Sequence, residues 1–456
     1  MISASPRRAV VLGGSMAGLL AARVLADHYD EVLVVDRDRL SGVTTARQGV
    51  PQGRHVHGLL ARGQQVLDEL FPGFTAEAVA AGVPTGDLGE LRWFFNGRRL
   101  APRSTGLTCV SAARPVLENL VRNRVLAIPN VGLAERHDIL GLVTTPDRGT
   151  VVGVRIAPRA PGPQADRAVD ADLVVDATGR ATRTPRWLAG IGYAPPPEDR
   201  IRIDLTYTTR RYRLPDESVL GGDLSINPVS TPSHPRGAFF SRVENGDSML
   251  SLTGVLGDSA PTDPEGYLAF ARSLPVPDVY DVIKDARALD DPVAFRYPAS
   301  VRRRFEALDR MPGHFVVLGD AACSFNPVYG QGMTVAALEA LTLRDHLARG
   351  GTPDPLAFQR DVAAVIDVPW DISAGGDLGF PGVVGKRTLA TRIGTAYTHR
   401  MQAAAVRDGE VTRTFMRVAG LVEPPGALMR PRMLLRVLGR AGRAAPTPEP
   451  VDHRVA

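Results

Sequence analysis

The chain has 456 residues, a formal net charge of +5, and 44% hydrophobic and 23% charged residues. This length predicts two or three domains with a large core, and the ordinary composition excludes a disordered or fibrous protein. Of the 54 basic residues only Lys284 and Lys386 are lysines, and no basic block is interleaved with aromatic residues, so we expect no nucleic-acid partner.

The first 36 residues carry the pattern of a βαβ unit: a strand (9–12), a glycine turn, a helix (16–26) and a second strand (31–35). A signal peptide, even a twin-arginine one, would account for Arg7-Arg8 and the apolar run after them, but not for the glycines inside that run. We therefore predict a Rossmann-type unit. No other uninterrupted apolar stretch reaches the roughly eighteen residues of a membrane span, so no span is expected.

The middle of the chain alternates loops with regular elements. An Arg-Gly-Pro-rich stretch (47–57) predicts an ordered loop, and Asn96-Gly97 predicts the turn of a hairpin over 91–100. Hydrophobic periodicity predicts the other elements up to residue 190: helices at 58–70 and 114–127, and strands at 151–156 and 173–175.

The pattern changes near residue 190. Short alternating stretches such as 201–207 and 248–253 predict a largely antiparallel sheet. The elements predicted after it are a buried strand (315–318), a helix (332–347), a mainly helical region (355 to about 438) and a flexible Pro- and Ala-rich tail (444–456).

The first glycine-rich motif, Gly13-Gly14-Ser15-Met16-Ala17-Gly18, lies between the first strand and the first helix. It matches G-x-G-x-x-G except for Ser15, which replaces the glycine that normally lets the backbone approach a pyrophosphate at the helix N-terminus. The Ser15 hydroxyl is itself a candidate phosphate donor. Asp36 ends the second strand where this unit holds a ribose hydroxyl, with a loop-capping aspartate as the alternative. The motif predicts a dinucleotide site.

The second glycine-rich motif runs from Gly319-Asp320 to Gly330-Gln331-Gly332-Met333, after a buried strand and at the start of a long helix. An aspartate there can accept hydrogen bonds from a sugar-like polyol, and the glycines let the chain pass close to a flat ring. The helix N-terminus can stabilise negative charge on that ring. A tight turn alone would need one glycine rather than this string.

Together these residues resemble the FAD-binding signatures of the group A, aromatic-hydroxylase-like flavin monooxygenases. The resemblance implies that Asp320 binds the ribityl chain, that Pro327 lies beside the reactive side of the flavin, and that helix amides face its N1/C2 edge. It also implies that Asp176-Ala-Thr-Gly179 is the family's middle aspartate–glycine motif. The cofactor-binding residues it implies are Gly13, Gly14, Ser15, Met16, Ala17, Gly18, Asp36, Arg37, Arg47, Arg114, Ile139, Asp320, Pro327, Gly330, Gln331, Gly332 and Met333.

We therefore expect an α/β fold in three parts. A Rossmann-type FAD-binding domain comprises 1–78, 100–190 and 295–354. A mainly antiparallel β-sheet substrate domain, comprising 79–99 and 191–294, is inserted into it. A helical C-terminal region covers 355–443 and is expected to cover a pocket or to form a dimer contact.

A closer resemblance, to the flavin epoxidases of polyether polyketide biosynthesis and their actinobacterial relatives, rests on Arg47 to His57, Asn326 to Gly330 and Asp377 to Gly382. It implies that transiently bound NAD(P)H reduces FAD, and that a C4a-hydroperoxyflavin gives oxygen to an alkene or ring of a hydrophobic polyketide-type substrate. Such chemistry needs no protein nucleophile or base, and we assign no catalytic residue.

Two alternatives remain open. FAD-bound cyclases that resemble this fold catalyse a [4+2] cycloaddition without redox turnover, and they keep the same motifs. A flavin halogenase is a weaker alternative, because the tryptophan-rich motif and active-site lysine usual there are missing.

The remaining candidates for chemistry have structural explanations. Cys109 and Cys323 supply neither a disulfide framework nor metal spacing, so we expect no metal and a cytoplasmic protein. We expect either a monomer or a homodimer. His55 and His57 are candidate bases that are better explained as structural or cofactor-adjacent. Trp93 to Phe95 is better explained as a strand than as a pocket lining.

Overall fold

The structure, a computed structural model, describes residues 6–160, 162 and 165–441. The tail predicted at 444–456 lies outside them. The strands of the described chain are β1 (Arg8–Leu12), β2 (Glu31–Val35), β3 (Gly58–Leu59), β4 (Thr85–Asp87), β5 (Arg92–Phe95), β6 (Arg98–Arg99), β7 (Thr108–Ser111), β8 (Val131–Ala134), β9 (His137–Thr144), β10 (Val151–Pro158), β11 (Arg167–Asp170), β12 (Leu173–Asp176), β13 (Glu198–Arg213), β14 (Ser225–Pro228), β15 (Gly237–Arg242), β16 (Ser248–Gly254), β17 (Arg287–Ala288), β18 (Val293–Arg303), β19 (Phe315–Val317) and β20 (Cys323–Ser324).

The α-helices are α1 (Met16–Leu25), α2 (Ala61–Leu70), α3 (Phe74–Ala80), α4 (Arg114–Leu126), α5 (Thr184–Gly190), α6 (Pro264–Arg272), α7 (Asp278–Ile283), α8 (Gly332–Ala348), α9 (Pro355–Asp377), α10 (Leu389–Ala405), α11 (Gly409–Ala419) and α12 (Pro431–Ala441). Short 3₁₀ turns cover Pro51–Arg54, Glu217–Leu220, Glu244–Gly246, Phe305–Ala307, Gly319–Ala321, Pro327–Tyr329 and Pro425–Met429. No helix of the described chain combines the length and the apolar character that crossing a bilayer requires.

The chain divides into two compact units. Unit 1 comprises Met1–Gly82, Ala112–Arg200 and Ala299–Ser373, and unit 2 comprises Val83–Ser111, Ile201–Pro298 and Ala374–Ala456. The C-terminal helices, which we predicted as one region (355–443), have residues in both units. Gln359 on α9 donates its side-chain N–H to the Val317 carbonyl (2.8 Å) in unit 1, whereas the Ala101 amide donates to the Ala405 carbonyl (2.9 Å) in unit 2.

The centre of unit 1 is a five-stranded parallel sheet in the order β19-β12-β1-β2-β8. Its central strands are continuous apolar runs, as expected for strands that are buried on both faces. Helices α1 and α8 pack against each other in this unit. A smaller antiparallel sheet, β11-β10-β9, belongs to the same unit.

Unit 2 contains a mainly antiparallel sheet in the order β18-β13-β16-β15-β14-β5-β6. One face packs Phe240, Leu250 and Leu252 against helices α6 and α7 in a hydrophobic core. Because side chains alternate along a strand, the residues between them point to the other face. The predicted hairpin is present, and the positive φ of Asn96 (51°) and Gly97 (68°) is typical of the tight turn that joins β5 to β6.

Candidate functional site

The candidate site lies at the carboxyl ends of the parallel strands of unit 1. Gly13 follows β1, Asp36 follows β2, Asp176 ends β12, and Gly319 stands two residues beyond β19. In an open α/β sheet, ligands bind outside these ends. Gly13 has φ +99°, and a Cβ there would stand 2.5 Å from the carbonyl oxygen of Ala177. The first turn therefore requires glycine.

The two glycine-rich motifs meet in space although residues 19–318 separate them in the chain. Gly319 has φ +67°, and a Cβ on it would lie 2.6 Å from the Cβ of Ala17 on α1. A Cβ on Gly332, at the start of α8, would lie 3.8 Å from a carboxylate oxygen of Asp320. The folded chain thus brings Asp320 beside the beginnings of two helices.

Both helix N-termini present uncapped backbone donors. Ser15 precedes α1 and Gln331 precedes α8, and neither side chain caps its helix. The first amides of a helix have no acceptor within it, and they concentrate positive partial charge. Beside the α8 terminus, Gln331 Oε1 and Thr334 Oγ1 are buried and have no hydrogen-bond partner among the described residues. The two termini can therefore hold an anion and the electron-rich edge of a ring.

Ser15 is held by a charged network rather than left for a ligand. Its hydroxyl donates to Glu118 Oε2 (2.7 Å) and accepts from Arg114 Nη2 (3.1 Å). The hydroxyl proton that we considered for a phosphate is therefore used inside the protein. In place of the usual glycine, the serine side chain links the α1 terminus to α4.

Glu118 is a central site residue that the sequence reasoning missed. Its carboxylate is 3% exposed and lies 2.5 Å from Arg47 and 3.5 Å from both Arg114 and Arg122. Burial pushes its pKa upwards, but Arg114 and Arg47 outweigh burial, so the pKa is lowered and the group stays ionised. The spacing of Arg114, Glu118 and Arg122 along one helix face was the available signal.

Asp36 organises the loop around it. Its carboxylate accepts from the amides of Gly14 (2.7 Å) and Asp38 (2.8 Å) and lies 3.6 Å from Arg47. Burial raises the pKa of Asp36 against the opposing effect of Arg47. These contacts are the ones expected if Asp36 caps the loop, and its contact with a ribose hydroxyl stays a prediction. Arg37, the next residue, is exposed.

Asp320 has a carboxylate that accepts no hydrogen bond from the described residues, and its side chain is half-buried. Burial raises its pKa, while Arg114, Arg180 and Arg303 act in the opposite direction. An acceptor of this kind, fixed on a turn and flanked by cations, suits a ligand with several hydroxyl donors.

Glu339 on α8 is a second residue that the sequence reasoning missed. It is fully buried, accepts from the Gly319 amide (2.5 Å), and its Oε1 has no partner among the described residues. Burial, and then the neighbouring Asp320, raise the pKa of Glu339 to about 8. Glu339 therefore fixes the backbone on which Asp320 stands.

The two histidines of the Arg-Gly-Pro-rich loop are poor bases. His57 Nδ1 lies 2.8 Å from the His55 carbonyl, which can only accept, so Nδ1 carries the proton. Burial and Arg114 lower the pKa of His57 to about 3, and burial and Arg54 lower the pKa of His55 to about 4. Neither ring takes up a proton near neutral pH, which favours the structural explanation.

The other predicted residues have local roles. Asp176 is fully buried, and its carboxylate accepts from Thr178, Thr182 and Thr184, so it stabilises the turn after β12. Pro327 opens a 3₁₀ turn that ends at Gly330 (φ +66°). Ile139 lies in β9, whose first residue, His137, donates its amide to the Asp36 carbonyl (3.0 Å); the Ile139 carbonyl accepts from Arg183 (3.4 Å). Within the described chain no cluster of three His, Cys, Asp or Glu could hold a metal.

Unit 2 carries a second candidate surface, on the sheet face opposite its hydrophobic core. Thr209 and Ser251 share a hydrogen bond (2.5 Å), and Thr253 bonds to Ser230 (3.1 Å). Asn227 is 2% exposed, and its Nδ2 has no partner among the described residues. We call this the hydroxyl-lined face. Trp93 and Phe95 stand on β5, while Phe94 between them belongs to the core.

Comparison with known proteins begins with sequence relatives. The chain is 36% identical to protein Rv3254 of Mycobacterium tuberculosis over 394 residues, which is 82% of this chain and 80% of that protein. It is 28% identical over 461 residues to a kynurenine 3-monooxygenase of Salinispora arenicola, covering 95% and 93% of the two chains. No protein-family model matches the chain.

Solved structures share the fold at low sequence identity. A flavoprotein/dehydrogenase of Cytophaga hutchinsonii matches with a TM-score of 0.68 at 16% identity, covering 96% of this chain and 98% of that one. The p-nitrophenol 4-monooxygenase PnpA of Pseudomonas putida matches with a TM-score of 0.64 at 16% identity, covering 92% and 99%. The Diels-Alderase PyrE3 of pyrroindomycin biosynthesis matches with a TM-score of 0.58 at 16% identity, covering 91% and 81%. The predicted fold class, an α/β fold that combines a Rossmann-type parallel sheet with a mainly antiparallel sheet domain, is confirmed.

Proposed function

This chain belongs to the family of protein Rv3254 of Mycobacterium tuberculosis, and we propose that it is an FAD-dependent monooxygenase that uses NAD(P)H and O₂. The observation that carries the proposal is the unsatisfied Asp320 carboxylate beside the uncapped N-termini of α1 and α8. The kynurenine 3-monooxygenase, similar over nearly the whole chain, supports the same class.

Each part of the site suits one part of FAD. The amides at the start of α1, with Arg47 and Arg114, would bind the pyrophosphate. The carboxylate of Asp320 would accept from the ribityl hydroxyls, and the amides of Gly332 and Met333 would donate to the N1/C2 edge of the flavin. When bound, FAD supplies the redox chemistry that activates O₂, while the protein orients the substrate and excludes water.

The substrate we propose is a hydrophobic, polyketide-type molecule, and the reaction is an epoxidation or hydroxylation. The hydroxyl-lined face of unit 2 supports this proposal, because it offers a few polar groups beside Trp93 and Phe95. The Asn227 side-chain N–H is the donor we assign to a carbonyl of the substrate, since it is buried and has no partner in the part of the chain that the structure describes.

The cofactor assignment is tested with Asp320→Ala and the milder Asp320→Asn. Titration of the apoprotein with FAD, followed by flavin fluorescence, should show affinity reduced roughly ten- to a hundredfold for the alanine variant, since hydrogen bonds to a charged group contribute about 1.5–3 kcal/mol. Glu265→Gln, an exposed carboxyl on α6, is the control. Unchanged FAD affinity in Asp320→Ala would show that the role given to Asp320 is wrong.

A second function, an FAD-bound non-redox [4+2] cyclase, is favoured by the likeness to the Diels-Alderase PyrE3. Two measurements separate the two functions. A monooxygenase consumes NAD(P)H in air and gives a product with one added oxygen atom, whereas a cyclase gives an isomer of its substrate. Reconstitution with 5-deaza-FAD should abolish the first activity and preserve the second.

A further inference from the structure

Exposed large apolar side chains are concentrated in the C-terminal part of unit 2. Six of the twelve large hydrophobic residues that are exposed in the described structure lie between 384 and 438. We call these six the C-terminal apolar surface: Val384 (78% exposed), Leu389 (74%), Ile393 (61%), Met429 (54%), Leu435 (74%) and Leu438 (51%).

On α10 and on α12 the exposed apolar residues share one face of the helix. Leu389 and Ile393 are four residues apart on α10, and Leu435 and Leu438 are three apart on α12, so each pair shares a helix face. Helix α12 already has an inward face, since Val437 is fully buried. The two helices pack against each other, and the Tyr397 hydroxyl donates to the Leu428 carbonyl (2.6 Å) just before α12.

Positive charge dominates around these faces. Residues 384–407 and 424–439 contain no aspartate or glutamate and eight lysines or arginines, of which Arg430 and Arg436 pair with Glu423 and Asp408 just outside these ranges. Four of these cations are exposed and form no ion pair within the described chain: Lys386, Arg392, Arg400 and Arg432. An apolar helix face flanked by unpaired cations is the pattern of surfaces that lie at the headgroup level of a membrane.

We propose that the C-terminal apolar surface docks onto an anionic lipid bilayer. A second copy of the chain is a poorer occupant, because a two-fold interface places the same patch on both sides and would set these cations against one another. The lipid phosphates supply the opposite charge, and the acyl region accepts the leucine and isoleucine side chains. This docking does not depend on the proposed redox function.

The test is co-sedimentation of the full chain with phosphatidylglycerol-containing vesicles and with pure phosphatidylcholine vesicles. We expect binding to the anionic vesicles that weakens as salt is raised. Because one basic residue near such a surface changes binding about fivefold, Arg392→Ser with Arg432→Ser should weaken it about twenty-five-fold. Leu389→Glu with Leu435→Glu should abolish it. These positions are exposed, so the melting temperature should not change.

The matched control is Val79→Glu with Val219→Glu, two exposed valines (50% and 48%) outside the C-terminal apolar surface. This control should bind as the unaltered protein does. The proposal is overturned if the unaltered protein stays in solution with anionic vesicles, or if the control loses as much binding as the leucine pair. It is also overturned if salt has no effect, or if the leucine variants only convert a dimer to a monomer.

Discussion

Glu339→Gln removes the ionisation of a fully buried carboxyl while keeping an oxygen that accepts from the Gly319 amide. In the unfolded chain a glutamate titrates near 4.5, whereas burial and Asp320 raise the pKa of Glu339 to about 8 in the folded protein. Between these values the folded state binds the proton more tightly than the unfolded chain does. The contribution of Glu339 to stability is therefore full below pH 4.5 and is lost as pH rises to 8.

The size of the effect follows from the difference between the two pKa values. Each pH step inside this window costs the unaltered protein about 1.4 kcal/mol of unfolding free energy, so the full cost above pH 8 is about 5 kcal/mol. The unfolding free energy of the glutamine variant lacks this dependence on pH. It should match the unaltered protein near pH 5 and exceed it by several kcal/mol at pH 9.

The assay is urea unfolding of the apoprotein at pH 5, 6, 7, 8 and 9, with the transition midpoint of unit 1 followed in both proteins. Glu265→Gln is the control, because the Glu265 side chain is exposed and should leave the profile unchanged. If the plots of unfolding free energy against pH for Glu339→Gln and for the unaltered protein stay parallel from pH 5 to 9, the buried carboxyl does not titrate as described and the reasoning fails.

Three further predictions concern residues around the same site. Gly13→Ala forces a side chain into φ +99° and against the Ala177 carbonyl, so the free energy of unfolding should fall by roughly 2–5 kcal/mol in thermal or urea unfolding, whereas Gly141→Ala, with open space around its Cβ, should be nearly neutral. Glu118→Gln removes the one carboxylate that Arg47, Arg114 and Arg122 share and should cost roughly 3–5 kcal/mol; adding FAD should raise its melting temperature more than that of the unaltered protein, and equal shifts would contradict this. His57→Gln should remove about 1.4 kcal/mol of acid destabilisation for each pH step between 6.5 and 3, where the unfolded imidazole is protonated and the folded one is not, with no difference at pH 7 by the same urea assay.

Much of the fold follows from local pattern. Continuous apolar strands, each ending in a glycine or an acid, predict a buried parallel sheet, and β1, β2, β12 and β19 lie where those runs stand. The hairpin at Asn96-Gly97 follows from turn chemistry alone. These features depend on neighbours a few residues away, so the sequence contains them directly. The division of the C-terminal helices between two units depends instead on long-range contacts, such as that from Gln359 to Val317.

The candidate site shows the same division. The two glycine-rich motifs, and Asp320 as a candidate site residue, could be recognised from the sequence alone, because a helix N-terminus after a strand is a local arrangement. Only the tertiary structure showed that Glu118 binds Ser15 and that Glu339 holds the Gly319 turn, since these partners are distant in the chain. It also decided that His57 stays neutral and Glu118 stays charged, because a pKa depends on burial and on charges that folding alone brings together.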